Sequence, residues 1–162
     1  MLEYIKNIIS ELNKYFGVCL TPRISDNTNF RYPMYCNCVV NTIYVWEEFF
    51  SALTEEQKKL HIVYVYSALM AAKLYGKERI IDGHKSIELP FNPNKIAMII
   101  CERINVKFTS FEELQREVYE TRQRLFRILI LNLLITGSVM KLEKEQDTSK
   151  SLTLTKKMVK LL

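Results

Sequence analysis

Ser110-Phe111-Glu112-Glu113-Leu114, followed by Thr121-Arg122-Gln123-Arg124, the apolar run Leu125 to Ile135 and then Gly137, is the stretch on which the fold turns. Ser110 and Glu113 have capping-box spacing: the hydroxyl satisfies an orphan amide at a helix start and the Glu reaches back. A short helix from Phe111 to Val118 is predicted. Thr121 caps a further helix, Arg122 to Ile135, with Gly137 as its stop. Val139-Met140-Lys141-Leu142-Glu143-Lys144 then alternates apolar with polar, as does Ser151-Leu152-Thr153-Leu154-Thr155, and the polar run from Glu145 to Lys150 joins them. Two strands around a charged tip are expected. Upstream, Ile96, Ile99, Ile100 and Ile104 give helical spacing over 94–104, and Val106-Lys107-Phe108 suits a short strand.

The order helix, strand, helix, turn, helix, strand, tip, strand resembles the winged-helix DNA-binding fold, particularly that of MarR-type regulators. The residues that carry the resemblance are Ser110 to Leu114 for the second helix, and Leu131, Leu134, Gly137 and Val139 for the end of the third helix and entry into the wing. Asp147 and Lys150 match the tip, and Leu152-Thr153-Leu154-Thr155 the exit strand. The resemblance covers residues 93–162 and implies a small transcriptional regulator that reads duplex DNA. MarR-type proteins usually dimerise through helices at both ends. Here the chain stops at Leu162, soon after the wing, so any homodimer, or a protein partner instead, is expected to use the N-terminal half.

The residues themselves fit that role. The start of a recognition helix approaches base edges, where Arg grips guanine and Gln adenine by paired hydrogen bonds; Arg122, Gln123, Arg124 and Arg127 stand there. Ser110 and Thr121 at helix starts complete the candidate nucleic-acid-binding set together with Lys144 and Lys150, which on the wing suit phosphate contacts. The third helix is also unusually apolar, since Leu125, Phe126, Ile128, Leu129, Ile130, Leu131, Leu133, Leu134 and Ile135 surround it. Only its first turns can then face a wet groove, because a helix buried on most sides is more often core than interface. The rival reading is a non-enzymatic interaction subunit of a larger nucleoprotein or protein complex, whose winged helix docks onto protein.

Charge is divided unevenly along the 162 residues. Residues 1–90 hold 10 Lys/Arg and 10 Asp/Glu, whereas residues 91–162 hold 13 and 8, so the net +5 lies in the second half. A polyanion is the natural partner of that half. The 48% hydrophobic content is enough for a real core, and the sparse Gly and Pro exclude a disordered or fibrous chain. Leu125 to Ile135 is shorter than a membrane span and is interrupted by Arg127 and Asn132; Met1 to Lys6 lacks the layout of a secretory signal. A cytoplasmic, membrane-free protein is expected. Richness in Ile, Lys, Tyr and Asn suggests an AT-rich genome.

In residues 1–90 the positions Leu2, Ile5, Ile8, Ile9, Leu12, Tyr15 and Phe16 predict an amphipathic helix stopped by Gly17. Val18 to Leu20 and Cys38 to Val45 read as strands of a small sheet, separated by turn formers from Ser25 to Asn29. Thr54 and Gln57 form a capping box that opens a buried central helix, Leu60 to Tyr75, ended by Gly76. The turn-rich segment 82–93 is the expected boundary between an interaction or dimerisation domain, 1–90, and the winged helix, 91–162. The fold class is therefore α+β.

Catalysis is not expected. A helix–sheet–helix layout is faintly like that of small zinc peptidases, but His61 is followed by Ile62 where the general-base Glu should stand, and Val65 replaces the second His. Cys36 and Cys38 with Cys19 and His61 or His84 could supply zinc ligands; without paired Cys-x-x-Cys knuckles they read as small hydrophobes or free thiols, so no metal or other cofactor is expected. Asp82-Gly83-His84 reads as a turn. The aromatic-rich set Tyr32, Tyr35, Tyr44, Trp46, Phe49, Phe50, Tyr64, Tyr66 and Tyr75 suits core and interface alike; Tyr64 and Tyr66, on different helix faces, suggest that at least one meets a partner or solvent.

Overall fold

The computed structural model describes residues 1–26, 32–77, 80 and 89–144, with 137–144 as helical backbone. Within them the chain is mixed α+β: α1 (Leu2–Phe16), β1 (Arg23–Asp26), β2 (Met34–Asn37), β3 (Thr42–Val45), α2 (Glu47–Ser51), α3 (Glu55–Tyr75), α4 (Pro93–Arg103), α5 (Phe111–Glu117) and α6 (Tyr119–Lys144).

Local chemistry explains most of the helix ends. Gly17 takes a left-handed conformation at φ 63° and closes α1, a backbone state that costs glycine no Cβ clash. At α3 both halves of the capping box form: Thr54 Oγ1 accepts from the Gln57 amide, and the Gln57 side chain accepts from the Thr54 amide. Asn92 caps α4 by accepting from the Lys95 amide, with Pro93 in its favoured first-turn place. Ser110 caps α5 by accepting from the Glu113 amide; the Glu113 carboxylate meets the Ser110 hydroxyl rather than reaching the backbone.

The sheet runs β1-β3-β2, with β1 parallel and β2 antiparallel to β3. In the antiparallel pair Cys36 faces Ile43 and Tyr35 faces Tyr44, whose rings stack at 4.9 Å. β3 occupies the second half of the expected strand Cys38 to Val45, whereas other expected strand segments do not form. Val18 to Leu20 is coil, held by Asn13, whose side chain bonds both the amide and the carbonyl of Leu20. Cys38 to Val40 is the turn between β2 and β3; Asn37 Oδ1 accepts from the Val39 amide, and Asn41 takes φ 48°, a conformation Asn tolerates. Val106 to Phe108 is coil as well.

The core gathers around α3. Leu60 to Ser67 are all buried, so this helix is enclosed on every side along two turns. It lies against α1, β2 and α4, which contribute Ile5, Ile9 and Leu12, then Met34, then Ile96, Ala97 and Ile100. Fully burying one such aliphatic side chain contributes ~1.5–3 kcal/mol. Tyr64 and Tyr66 are both buried. Their hydroxyls find partners inside, Tyr64 donating to the Thr109 carbonyl and Tyr66 to Asn13 Oδ1, so neither is an interface anchor.

By packing, the chain divides into Met1–Tyr119 and Glu120–Leu162. The expected division at 90/91 is not that of the compact units. The physical reason is that α4 lies on α3 and that Leu114 and Val118 are fully buried, so 93–119 belong to the first body.

Candidate functional site

α6 runs without interruption from Tyr119 to Lys144. This corrects three expectations. Thr121 lies inside the first turn rather than at the cap. Gly137 is carried within the helix, a position that costs about 1 kcal/mol relative to Ala without breaking it. Val139 to Lys144 is helix, not the first wing strand; a six-residue alternation is too short to exclude a helix, and the more than five turns before it favour propagation. The expected tip, Glu145 to Lys150, and exit strand, Ser151 to Thr155, lie outside the described residues, as does Lys150 itself.

The remaining candidates separate into two groups. Ser110 belongs to the first compact unit and spends its hydroxyl on the α5 cap. Arg122, Gln123, Arg124 and Arg127 lie together on the first turns of α6, where Arg124 and Arg127 are exposed and Thr121, Arg122 and Gln123 half-buried. Lys144 is on the same helix, about six turns further along.

Beyond those arginines lies a feature to which charge alone gives no weight. Phe126, Ile128, Leu131, Leu133 and Ile135 are all exposed, Leu133 to 64% and Ile128 to 47%. Residues two apart on a helix point about 200° apart, so Phe126 and Ile128, or Leu131 and Leu133, face opposite sides. The bare apolar surface therefore forms two opposed stripes, Phe126 with Leu133 and Ile128 with Leu131 and Ile135, with Arg127 and Asn132 between them. Thr136 turns its hydroxyl back onto the Asn132 carbonyl, as Ser and Thr do within helices. Among the described residues no helix is long and apolar enough to cross a membrane.

In the first body the residues considered for chemistry do not converge. Among the described residues no three His, Cys, Asp or Glu side chains group as a metal site. His61 is buried at 1% exposure with Nε2 unpartnered, and burial pulls its pKa down to about 3. Cys101 is buried and its thiol is pushed up to about 11 by desolvation, while Cys19 is exposed. Cys36 and Cys38 do meet: their Sγ atoms are 3.8 Å apart where β2 gives way to the turn. His84 and the segment Asp82-Gly83-His84 lie outside the described residues. An open cleft of about 310 Å³ is lined by Ile8, Leu12, Tyr15 and Ile104, with Glu11 and Lys59 on its polar side.

No protein-family model, curated protein or solved structure matches this chain.

Proposed function

We propose that the chain is an interaction subunit that assembles through α6, several copies packing their apolar helices together within a larger protein or nucleoprotein complex. The observation that carries this reading is the pair of opposed apolar faces on α6, Phe126 with Leu133 and Ile128 with Leu131 and Ile135, all exposed. A two-stranded coiled coil covers only one seam of each helix. Two opposed faces call for neighbours on two sides, as a bundle of three or more helices provides. Burying the still exposed parts of five such side chains supplies on the order of 5 kcal/mol per copy. The expected site of association thus moves from residues 1–90 to α6.

Replacing Leu131 and Leu133 together by Glu tests this reading. Both side chains are exposed and Glu is a good helix former, so the fold of the first body is expected to persist in circular dichroism. Amine-reactive cross-linking should give multimers of the parent and single chains of the variant. Identical ladders for the two proteins would refute the reading.

A second reading, duplex-DNA binding by a winged-helix regulator, is supported by the exposed Arg124 and Arg127 beside Arg122 and Gln123, and by the basic second half. Assembly through α6 would set several such clusters side by side, and a polyanion answers that arrangement. The full chain should then bind random duplex with an affinity that falls steeply with salt. Changing Arg124 and Arg127 to Ala should weaken that binding without changing assembly, and a parent that shows no salt-sensitive binding would dismiss this second reading alone.

A further inference from the structure

Cys36 ends up on β2 opposite Ile43, and Cys38 opens the turn after that strand; both are half-buried. Their sulfurs stand 3.8 Å apart in one S–H···S contact, and Cys38 Sγ lies 3.7 Å from the Ala68 carbonyl on α3. Lys77 brings its ammonium to the same turn, donating to the Val39 carbonyl at 2.7 Å. The two thiols differ in character. Cys36 is pushed up by its hydrogen bond to Cys38 and by burial, whereas Cys38 is pulled down by the Cys36 hydrogen bond and by the Lys77 charge, against the opposing effect of burial. A partly exposed sulfur beside a cation, with a second thiol in contact, is the environment in which cysteines react.

We propose that Cys36 and Cys38 form a dithiol site that reduces low-molecular-weight disulfides, closing to an internal 36–38 disulfide as it does so. Cys38 is the attacking sulfur and Cys36 the resolving one. The Cys38 thiolate attacks one sulfur of the disulfide R–S–S–R; that S–S bond breaks, one RS⁻ leaves, and a Cys38–S–S–R mixed disulfide remains. The Cys36 thiol then gives its proton to the departing RS⁻ and attacks Cys38 Sγ, expelling the second RS⁻. Two electrons pass from the protein to the substrate, yielding RSH and RS⁻. Closing the ring draws Cys38 away from the Ala68 carbonyl and encloses only one intervening residue, Asn37. Such tight disulfides are strained and readily reopened, which suits a cycling site rather than a structural bridge.

The test treats the full reduced chain with oxidised glutathione and locates the products by mass spectrometry, Cys19 serving as an internal control because it is exposed and unpaired. The tryptic peptide 32–58 contains both Cys36 and Cys38, and peptide 15–23 contains Cys19. In the parent, peptide 32–58 should lose two hydrogens without retaining glutathione, about tenfold faster than Cys19 acquires an adduct near neutral pH. Cys36→Ser should trap glutathione on Cys38, since the resolving thiol is gone. The proposal is overturned if Cys19 reacts as fast as peptide 32–58, or if the parent accumulates glutathione on Cys36 or Cys38 without closing. Neither outcome depends on a variant folding.

Discussion

His61 sits within the buried run of α3 with Nε2 unpartnered, and desolvation alone lowers its pKa from 6.5 to about 3. The neutral form is therefore the one the fold accepts. Its contribution is fully present above pH 6.5 and is lost as pH falls towards 3, because the unfolded chain takes up a proton that the folded one refuses. Between about pH 6.5 and 5, before most carboxylates titrate, stability measured by urea unfolding should fall by up to ~1.4 kcal/mol per pH unit. In His61→Leu that slope should be absent, and parallel curves for the two proteins would show that His61 protonates freely. A different residue holds the coil after α1. Asn13 bonds Leu20 twice and accepts from Tyr66, so Asn13→Ala leaves three polar groups without their partner. Unfolding free energy should drop by ~1–3 kcal/mol, and a loss under a few tenths would mean water replaces the amide. Such roles were only half legible in the sequence: burial of His61 follows from its place in an apolar run, but the distant partners of Tyr64 and Tyr66 depend on packing that spacing does not disclose.

Helix ends are the elements that the sequence specifies most directly, because each cap is a bond between residues three apart. Thr54 with Gln57 and Ser110 with Glu113 are legible for that reason, and Gly17 because it makes the left-handed turn that ends a helix. Thr54→Ala should cost ~0.5–2 kcal/mol in chemical denaturation, with Thr54→Ser close to the parent; equal losses in both would assign the effect to something other than the hydroxyl. Strands are harder to place. Arg23–Asp26 is polar and mostly exposed, and becomes β1 only because β3 offers it a parallel edge, a pairing across about twenty residues of chain. α6 escapes a sequence reading for a different reason. Its last turns alternate like a strand over too few residues to decide, and Gly137 stops a helix only where the chain adopts a left-handed turn there.

Across the whole molecule, two properties of the sequence proved separable: the sign of the charge and the place of the apolar surface. The basic excess of the second half was plain from counting. That its most apolar stretch stands bare on a helix was not, because periodicity alone describes a buried third helix and an exposed α6 in the same terms. The packing of α4 on α3 was likewise hidden, since the turn-rich segment 82–93 looks like a boundary while α4 returns to the first body. What distinguishes the α6 reading from a single chain acting alone is stoichiometry. Sedimentation equilibrium of the full chain, over concentrations from about one to one hundred micromolar and at high salt to suppress charge-driven contacts, measures it directly. Assembly by apolar contact predicts a mass of three or more chains that persists as salt rises; a mass of one chain throughout that range would contradict it.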